Sequence, residues 1–292
     1  MTLYRAEAKR SAHIAADYAV ICNRHNFVKG YDDMDNDKNP VQSADRIFQV
    51  IDVLTERGPC GLLEISGMLS LNKSTVHRLL NSLIYMGYVK QNEETLKYQM
   101  TLKVVTIAGK VLKQIDILSI VQPYMRFLME QACETVHLVK RVDNSITYIN
   151  KLEPSYEGRS IRMASFIGMV SPLYCTAVGK AIMSELSEEE VRGIWKSSVP
   201  ERKTEYTILE MEQLLKELAA IRKLGYAMDN EENEVGVRCI AASIKDYSGT
   251  ANYAISISAP TGRMSDERVQ ELIPLLTDTC LKLSHELGYK AQ

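Results

Sequence analysis

Charge of either sign is nearly balanced in this sequence: 35 Lys and Arg stand against 37 Asp and Glu, a net charge of −2. The bulk positive field that by itself points to nucleic acid is absent, so any DNA contact has to come from a local face. Cysteine is sparse and scattered. Cys22, Cys60, Cys133, Cys175, Cys239 and Cys280 include no C-x-x-C pair, which argues against a zinc cage or a disulfide framework and fits a reducing compartment. No apolar run approaches the length that spans a bilayer. The opening MTLYRAEAKRSAHIAADYAVIC lacks the sustained apolar stretch of a signal peptide. A cytoplasmic protein with no membrane partner is expected. Internal repeats and low-complexity tracts are also missing.

What is present is ordinary globular composition, 46% hydrophobic and 25% charged over 292 residues, enough for two domains. Residues 1–38 stand apart as an N-terminal extension, either a docked helix or a disordered segment. They end in the polar, acidic GYDDMDNDKNP, which has the composition of a linker. Met34, just ahead of the first patterned segment, is an alternative start.

Residues 39–101 form the first domain. In SADRIFQVIDVLTERG, Ile47, Val50, Ile51 and Leu54 recur at helical spacing; Ser43 is placed to cap that helix and Gly58-Pro59 to end it. LLEISGMLSL supplies a short second helix. NKSTVHRLLNSLIYMG supplies a third, capped by Asn72, stopped by Gly87, and carrying Val76, Leu79, Leu80, Leu83 and Ile84 on one side. YVKQNEETLKYQM then has the pattern of a hairpin. Helix, turn, helix and hairpin in this order make a winged helix-turn-helix.

At about 100° per residue the apolar stripe of the third helix centres between Val76 and Leu80. Ser74, Arg78, Asn81, Ser82 and Tyr85 then point outward, flanked by Thr75 and His77, with Lys73 in the first turn. Arg78 suits a bidentate contact to guanine; Lys73, Ser74 and Thr75 suit phosphate. Lys90, Gln91 and Lys97 of the hairpin are placed to follow the adjacent backbone. The alternative is a packing module with a solvated face, because residues 41–103 hold only seven Lys/Arg against six Asp/Glu.

Residues 102–120 read as a linker helix (within a helical pattern over 101–120), followed by a further helix from Pro123. Over 121–290, strands such as VHLVKRV, SITYINKLE and ANYAISISA mix with helices such as TAVGKAIMSEL, ILEMEQLLKELAAIRKLG and DERVQELIPLLTDTCLKLSHELG. That mixture indicates an α+β sensor domain.

These segments resemble the IclR family of bacterial transcription regulators. SADRIFQVIDVL, LNKSTVHRLLNSLIYMGYV and KYQMTLK match in the first domain; ETVHL, SPLYCTAVGKAI, GYAMDNEENEVGVRCIAASI and ISISAPTGR match in the second, in the expected order. The resemblance covers about Ser43 to Tyr289, and its nearest type is the repressors of 2-keto-3-deoxygluconate and related sugar-acid catabolism. It implies a GAF-like effector domain, a homodimer or homotetramer, paired operator half-sites in double-stranded DNA and a small carboxylate or sugar-acid effector, with no cofactor and no catalysis. It also implies a pocket walled by Thr176, Ala177, Val178, Gly179, Asp229, Val237, Cys239, Ser256 and Ser258.

The residues themselves fit such a guest. Small residues open the helix after Thr176 and leave backbone N–H groups for a carboxylate. Ser256 and Ser258 share a strand face, and Asp229 can accept from a ligand hydroxyl or tie down a loop. Each has a plainer role: the serines as satisfied strand hydroxyls, Cys239 as a small buried hydrophobe, Asp229, Glu231, Glu232 and Glu234 as a solvated acidic face, Gly168 and Gly179 as packing or turn glycines, Met163 and Met169 as core. Three other functions stay open. A hydrolase would pair Cys175 or Cys239 with His137, though no nucleophile motif surrounds either thiol. A metal sensor would use His137, Asp229, Glu231 and Glu232, whose spacing matches no recognised cage. The regulator could equally be an activator.

Overall fold

The computed structural model describes residues 41–114, 116–154 and 164–290. The chain divides into two compact units between Asp116 and Ile117. The N-terminal extension, with Met34, lies outside the described residues, as does Met163.

In the first unit, α1 (Gln42–Arg57), α2 (Leu62–Met68) and α3 (Lys73–Tyr85) precede a hairpin of β1 (Val89–Gln91) and β2 (Tyr98–Met100). Val50, Leu54, Ile65, Val76, Leu80, Leu83 and Val89 close one core. Burial of that kind stabilises by about 1.5–3 kcal/mol per large apolar side chain. Cys60 exchanges two backbone hydrogen bonds with Tyr98, of 3.0 and 2.8 Å, which ties the hairpin to the turn after α1. The end of α3 is fixed by a glycine in the left-handed region: Gly87 has φ +75°, and the Gly87 and Tyr88 N–H groups return to the Ile84 and Leu83 carbonyls.

Two expected caps differ. Helix α1 starts at Gln42 with Val41 in the cap position, so Ser43 lies inside the first turn. Asn72 holds the cap position of α3 with extended backbone, but its side chain makes no cap hydrogen bond. Its carbonyl, accepting from Val76 at 3.1 Å, does the work of starting the helix. Capping preference marked the position and not the bond.

The single helix expected over 101–120 is two: α4 (Lys103–Gln114) and α5 (Ile117–Ala132). The apolar periodicity runs through the break without a glycine or proline to signal it, and Asp116, a residue type favoured just ahead of a helix, precedes the second. Pro123 lies inside α5 instead of starting it, where it removes one internal donor.

The second unit is an α+β layer. Six antiparallel strands run in the order β5-β4-β3-β8-β7-β6, with β3 (Thr135–Val142), β4 (Ser145–Leu152), β5 (Val170–Pro172), β6 (Ala227–Asn230), β7 (Val237–Ile244) and β8 (Tyr253–Pro260). Strand alternation gives each sheet face its own core. Val136, Leu138, Ile240, Ile255 and Ile257 face α5 and the C-terminal α9 (Asp266–Glu286). Val139, Ile146, Ala241 and Ala254 face α6 (Ala177–Met183), α7 (Glu188–Ser198) and α8 (Met211–Leu224). This second face also carries the polar residues of β3 and β8. Among the described residues no helix is long and apolar enough to cross a membrane.

Candidate functional site

On α3, Val76, Leu79, Leu80 and Leu83 are buried. Lys73, Ser74, His77, Arg78 and Asn81 are exposed, Thr75 and Ser82 half-buried, and Tyr85 is 93% exposed. The apolar stripe faces inward as the spacing predicts, and Ile84 alone of that set is exposed, at its edge. His77 Nδ1 lies 3.4 Å from the Asn81 amide. In the hairpin, Lys90 and Lys97 are exposed, while the Gln91 amide donates to the Leu96 carbonyl at 2.9 Å and braces the turn. Lys103 Nζ donates to the Met86 carbonyl at 2.5 Å, a cation at the C-terminus of α3 where the helix dipole favours one.

In the second unit, register builds the site. Asp229 pairs with Cys239, Cys239 with Ser258, and Ser258 with Thr135, one row across four strands. His137 pairs with Ser256 in the next row on the same face. The start of α6 covers these rows and borders a cavity of about 50 Å³. Its walls are His137, Tyr148, Ala164, Ser165, Met169, Thr176, Ala177, Val178, Asp229, Asn233, Glu234, Val237, Cys239, Ser256 and Ser258. Gly179 is not among them. A Cβ on it would meet the Leu173 carbonyl oxygen at 2.2 Å, and its N–H is taken by Thr176 Oγ1 at 3.1 Å. Gly179 therefore serves close packing; the N–H groups of Ala177 and Val178 are the ones the helix leaves without internal acceptors.

Ser256 and Ser258 hydroxyls lie 3.4 and 3.3 Å from His137 Nδ1, and His137 Nε2 lies 2.7 Å from Ser165 Oγ. Burial, with Lys151 nearby, pushes His137 down to about 3, so the imidazole is neutral. Burial, reinforced by Glu232, lifts Asp229 to about 7, against the pull of the Glu232 and Asn233 N–H groups and Lys180. Burial also raises the thiols, Cys175 to about 12 and Cys239 further. Neither thiol is ionised and His137 carries no charge, which leaves the nucleophile–base pair of a cysteine hydrolase unformed. Beside the cavity Lys180 is wholly buried on α6 and pairs with Glu232 and, at 3.2 Å, with Glu217.

His137, Tyr148, Ser165, Met169 and Asn233 were not assigned to the pocket from sequence. In the sequence His137 suits a base or a metal ligand, and Met169 suits core better than ligand contact; Met169 both packs against the core and lines the cavity. The alternation of ETVHL against ISIS was the available signal, but strand partners are not written in it.

A helix-turn-helix unit with an exposed polar third helix, followed by an α+β unit with a polar cavity, defines a DNA-binding transcriptional regulator. The chain belongs to the IclR family: its residues 43–93 match the IclR helix-turn-helix domain and 109–285 the bacterial transcriptional regulator IclR C-terminal domain. It is a regulator and not an enzyme, and the sensor layer is GAF-like. The chain is 37% identical over 257 residues to the HTH-type transcriptional regulator KdgR of Escherichia coli K12, covering 88% of this chain and 97% of that one. It is also 37% identical over 251 residues to the DNA-binding transcriptional repressor YiaJ of the same organism, covering 85% and 88%. Among solved structures it is similar to the repressor BlcR of Agobacterium tumefaciens, with TM-score 0.64 and 27% identity over 87% of this chain and all of that one. The C-terminal domain of Escherichia coli KdgR matches 60% of this chain and 100% of its own length, with TM-score 0.54 and 37% identity.

Proposed function

We propose that this regulator represses a carbohydrate or sugar-acid catabolic operon in the cytoplasm and is released when a small carboxylate metabolite occupies the sensor cavity. The observation that carries the reading is the buried polar row Asp229–Cys239–Ser258 under the opening turn of α6. Hydroxyls, an amide and two uncommitted helix N–H groups converge there on a small cavity, the chemistry that seats an oxygen-rich acid. Thr176, Ala177, Val178, Asp229, Val237, Cys239, Ser256 and Ser258 are its effector-binding residues, joined by His137 and Asn233. The relatives named as repressors favour that sign of regulation.

The operator is read by Lys73, Ser74, Thr75, His77, Arg78, Asn81 and Ser82, with Lys90, Gln91 and Lys97 on flanking phosphates. Two readers in a dimer or tetramer contact paired half-sites and gain avidity without new contacts. The exposed apolar side chains of α4, Val105, Ile107 and Val111, support self-association. Effector lowers operator affinity only by binding the arrangement that reads DNA poorly more tightly than the one that reads it well.

The test has two stages. In vitro selection of duplexes with the purified protein yields the operator. A thermal-shift screen against sugar acids and 2-keto acids, from pyruvate to 2-keto-3-deoxygluconate, finds ligands that raise the unfolding temperature by mass action. The expected hit also dissociates the selected duplex in a mobility-shift assay. A screen in which only neutral sugars stabilise the protein, or hits that leave the duplex bound, would overturn the reading.

A further inference from the structure

Asp229 is only 4% exposed. Its Oδ1 accepts from the N–H groups of Glu232 at 2.8 Å and Asn233 at 3.3 Å. Among the described residues its Oδ2 has no hydrogen-bond partner, and it is not among the sealed, unpartnered polar atoms, so it opens on the cavity that Asp229 lines. No Lys or Arg is among the described residues of that lining; its two ionisable acids are Asp229 and the exposed Glu234.

Among the described residues, the groups around Asp229 offer it no dedicated counter-charge. From α6, Lys180 binds Glu232 and also Glu217 of α8, and the second oxygen of Glu232 is buried without a partner. One ammonium thus answers three carboxyl groups. From β4 and β7, Tyr148 and Cys239 are held neutral by burial, as is Cys175 ahead of α6. From β3, His137 is neutral as well. Lys151 of β4 is occupied by the Ser165 carbonyl and Glu153. An anion entering this space would face an ionised Asp229 that is itself nearly buried, where like charges repel strongly.

We infer that Asp229 enters the effector complex as the neutral acid, its Oδ2–H donating to the effector's carboxylate, so that above the midpoint of Asp229 each anion bound takes up one proton from solvent. This rests on the cavity being the effector site, and it reverses the acceptor role that an aspartate in a sugar-binding pocket ordinarily takes. An acid near pH 7 makes the proton available at neutral pH. Asp229 then selects a carboxylate over the neutral lactone or amide of the same skeleton, and couples occupancy to pH.

Titration calorimetry of the full chain with pyruvate and with 2-keto-3-deoxygluconate, between about pH 6 and 9, tests this. For the acid that binds, affinity should be level on the acid side and fall toward tenfold per pH unit well above the midpoint of Asp229. Runs at pH 8 in buffers of different ionisation heat should count close to one proton taken up. Asp229→Asn keeps an oxygen for the two N–H groups and an N–H donor for the ligand; its affinity should be independent of pH and match the wild type's acid-side value. Should that variant fail to fold, the proton count on the wild type decides. Binding that Ser258→Ala weakens, but that is indifferent to pH with no proton uptake, overturns the inference and leaves the effector site standing. Failure of both acids to bind at pH 6, or binding untouched by Ser258→Ala, overturns the site reading and the inference with it.

Discussion

Lys180 on α6 and Glu232 on the turn after β6 form an ion pair in which the lysine side chain is 0% exposed and the glutamate 9%. Removing one partner strands the other in a medium that solvates charge poorly. Lys180→Met should therefore cost the sensor about 3–5 kcal/mol, and Lys180→Met with Glu232→Met should recover most of it. Urea unfolding of the three proteins measures both quantities. A single variant within about 1 kcal/mol of wild type would mean that the pair holds nothing together.

Gly179→Ala places a methyl group where the Leu173 backbone already is, 2.2 Å from its carbonyl oxygen. The Leu173 backbone cannot swing aside as the Thr176 hydroxyl can, so a loss of about 3 kcal/mol or more is expected. Circular dichroism on heating should show a lowered unfolding temperature without any ligand present. A variant with normal stability and weakened effector affinity would return Gly179 to the ligand.

Two buried groups tilt stability in opposite directions with pH. Asp229, near 7 in the fold, titrates near 4 when unfolded. Its contribution is complete below about pH 4 and is lost as pH rises through 7. His137, near 3 in the fold, titrates near 6.5 when unfolded; its contribution is present above about 6.5 and is lost as pH falls toward 3. Asp229→Asn should therefore gain on wild type by about 2 kcal/mol between about pH 5.5 and 8.5. His137→Gln should flatten the acid arm. Unfolding temperatures from about pH 3 to 8.5 check both, and parallel curves for Asp229→Asn and wild type would remove Asp229 as the alkaline-side group.

Arg78 is exposed on α3, and one bidentate base contact is worth about 1–3 kcal/mol. Arg78→Ala should lose roughly tenfold to a hundredfold in affinity for the selected operator, about the range that energy implies, with unchanged thermal stability and effector binding. Mobility shift on cognate and scrambled duplexes separates lost reading from lost phosphate contact: unchanged cognate affinity would exclude the residue from base recognition.

The first unit was legible because its information is local. The spacing of Val76, Leu80 and Leu83 fixes which side of α3 is buried, and Gly87 marks its end whatever the rest of the chain does. The second unit was legible only in part. TAVGKA, Asp229 and the ISIS serines stood out as segments, and the family resemblance joined them. What joins His137 to Ser256 is a strand register linking residues more than a hundred positions apart, and periodicity does not encode a partner. Lys180 was passed over for a similar reason: a lysine beside glycine and alanine on a helix looks solvated until Glu232 and Glu217 arrive from two other elements. The break at Asp116 escaped because helix periodicity continues on both sides of it.

The two innermost strands of the sheet, β3 and β8, supply His137, Ser256 and Ser258, while Met169, Asn233 and Glu234 come from connecting segments. Chemistry and shape are thus written into parts of unequal tolerance to change. A redesign toward a bulkier inducer has more freedom at the connecting segments, where Met169 is tied by its backbone to one strand alone, β4, and almost none at the base, where each replacement unsettles two neighbouring strands at once.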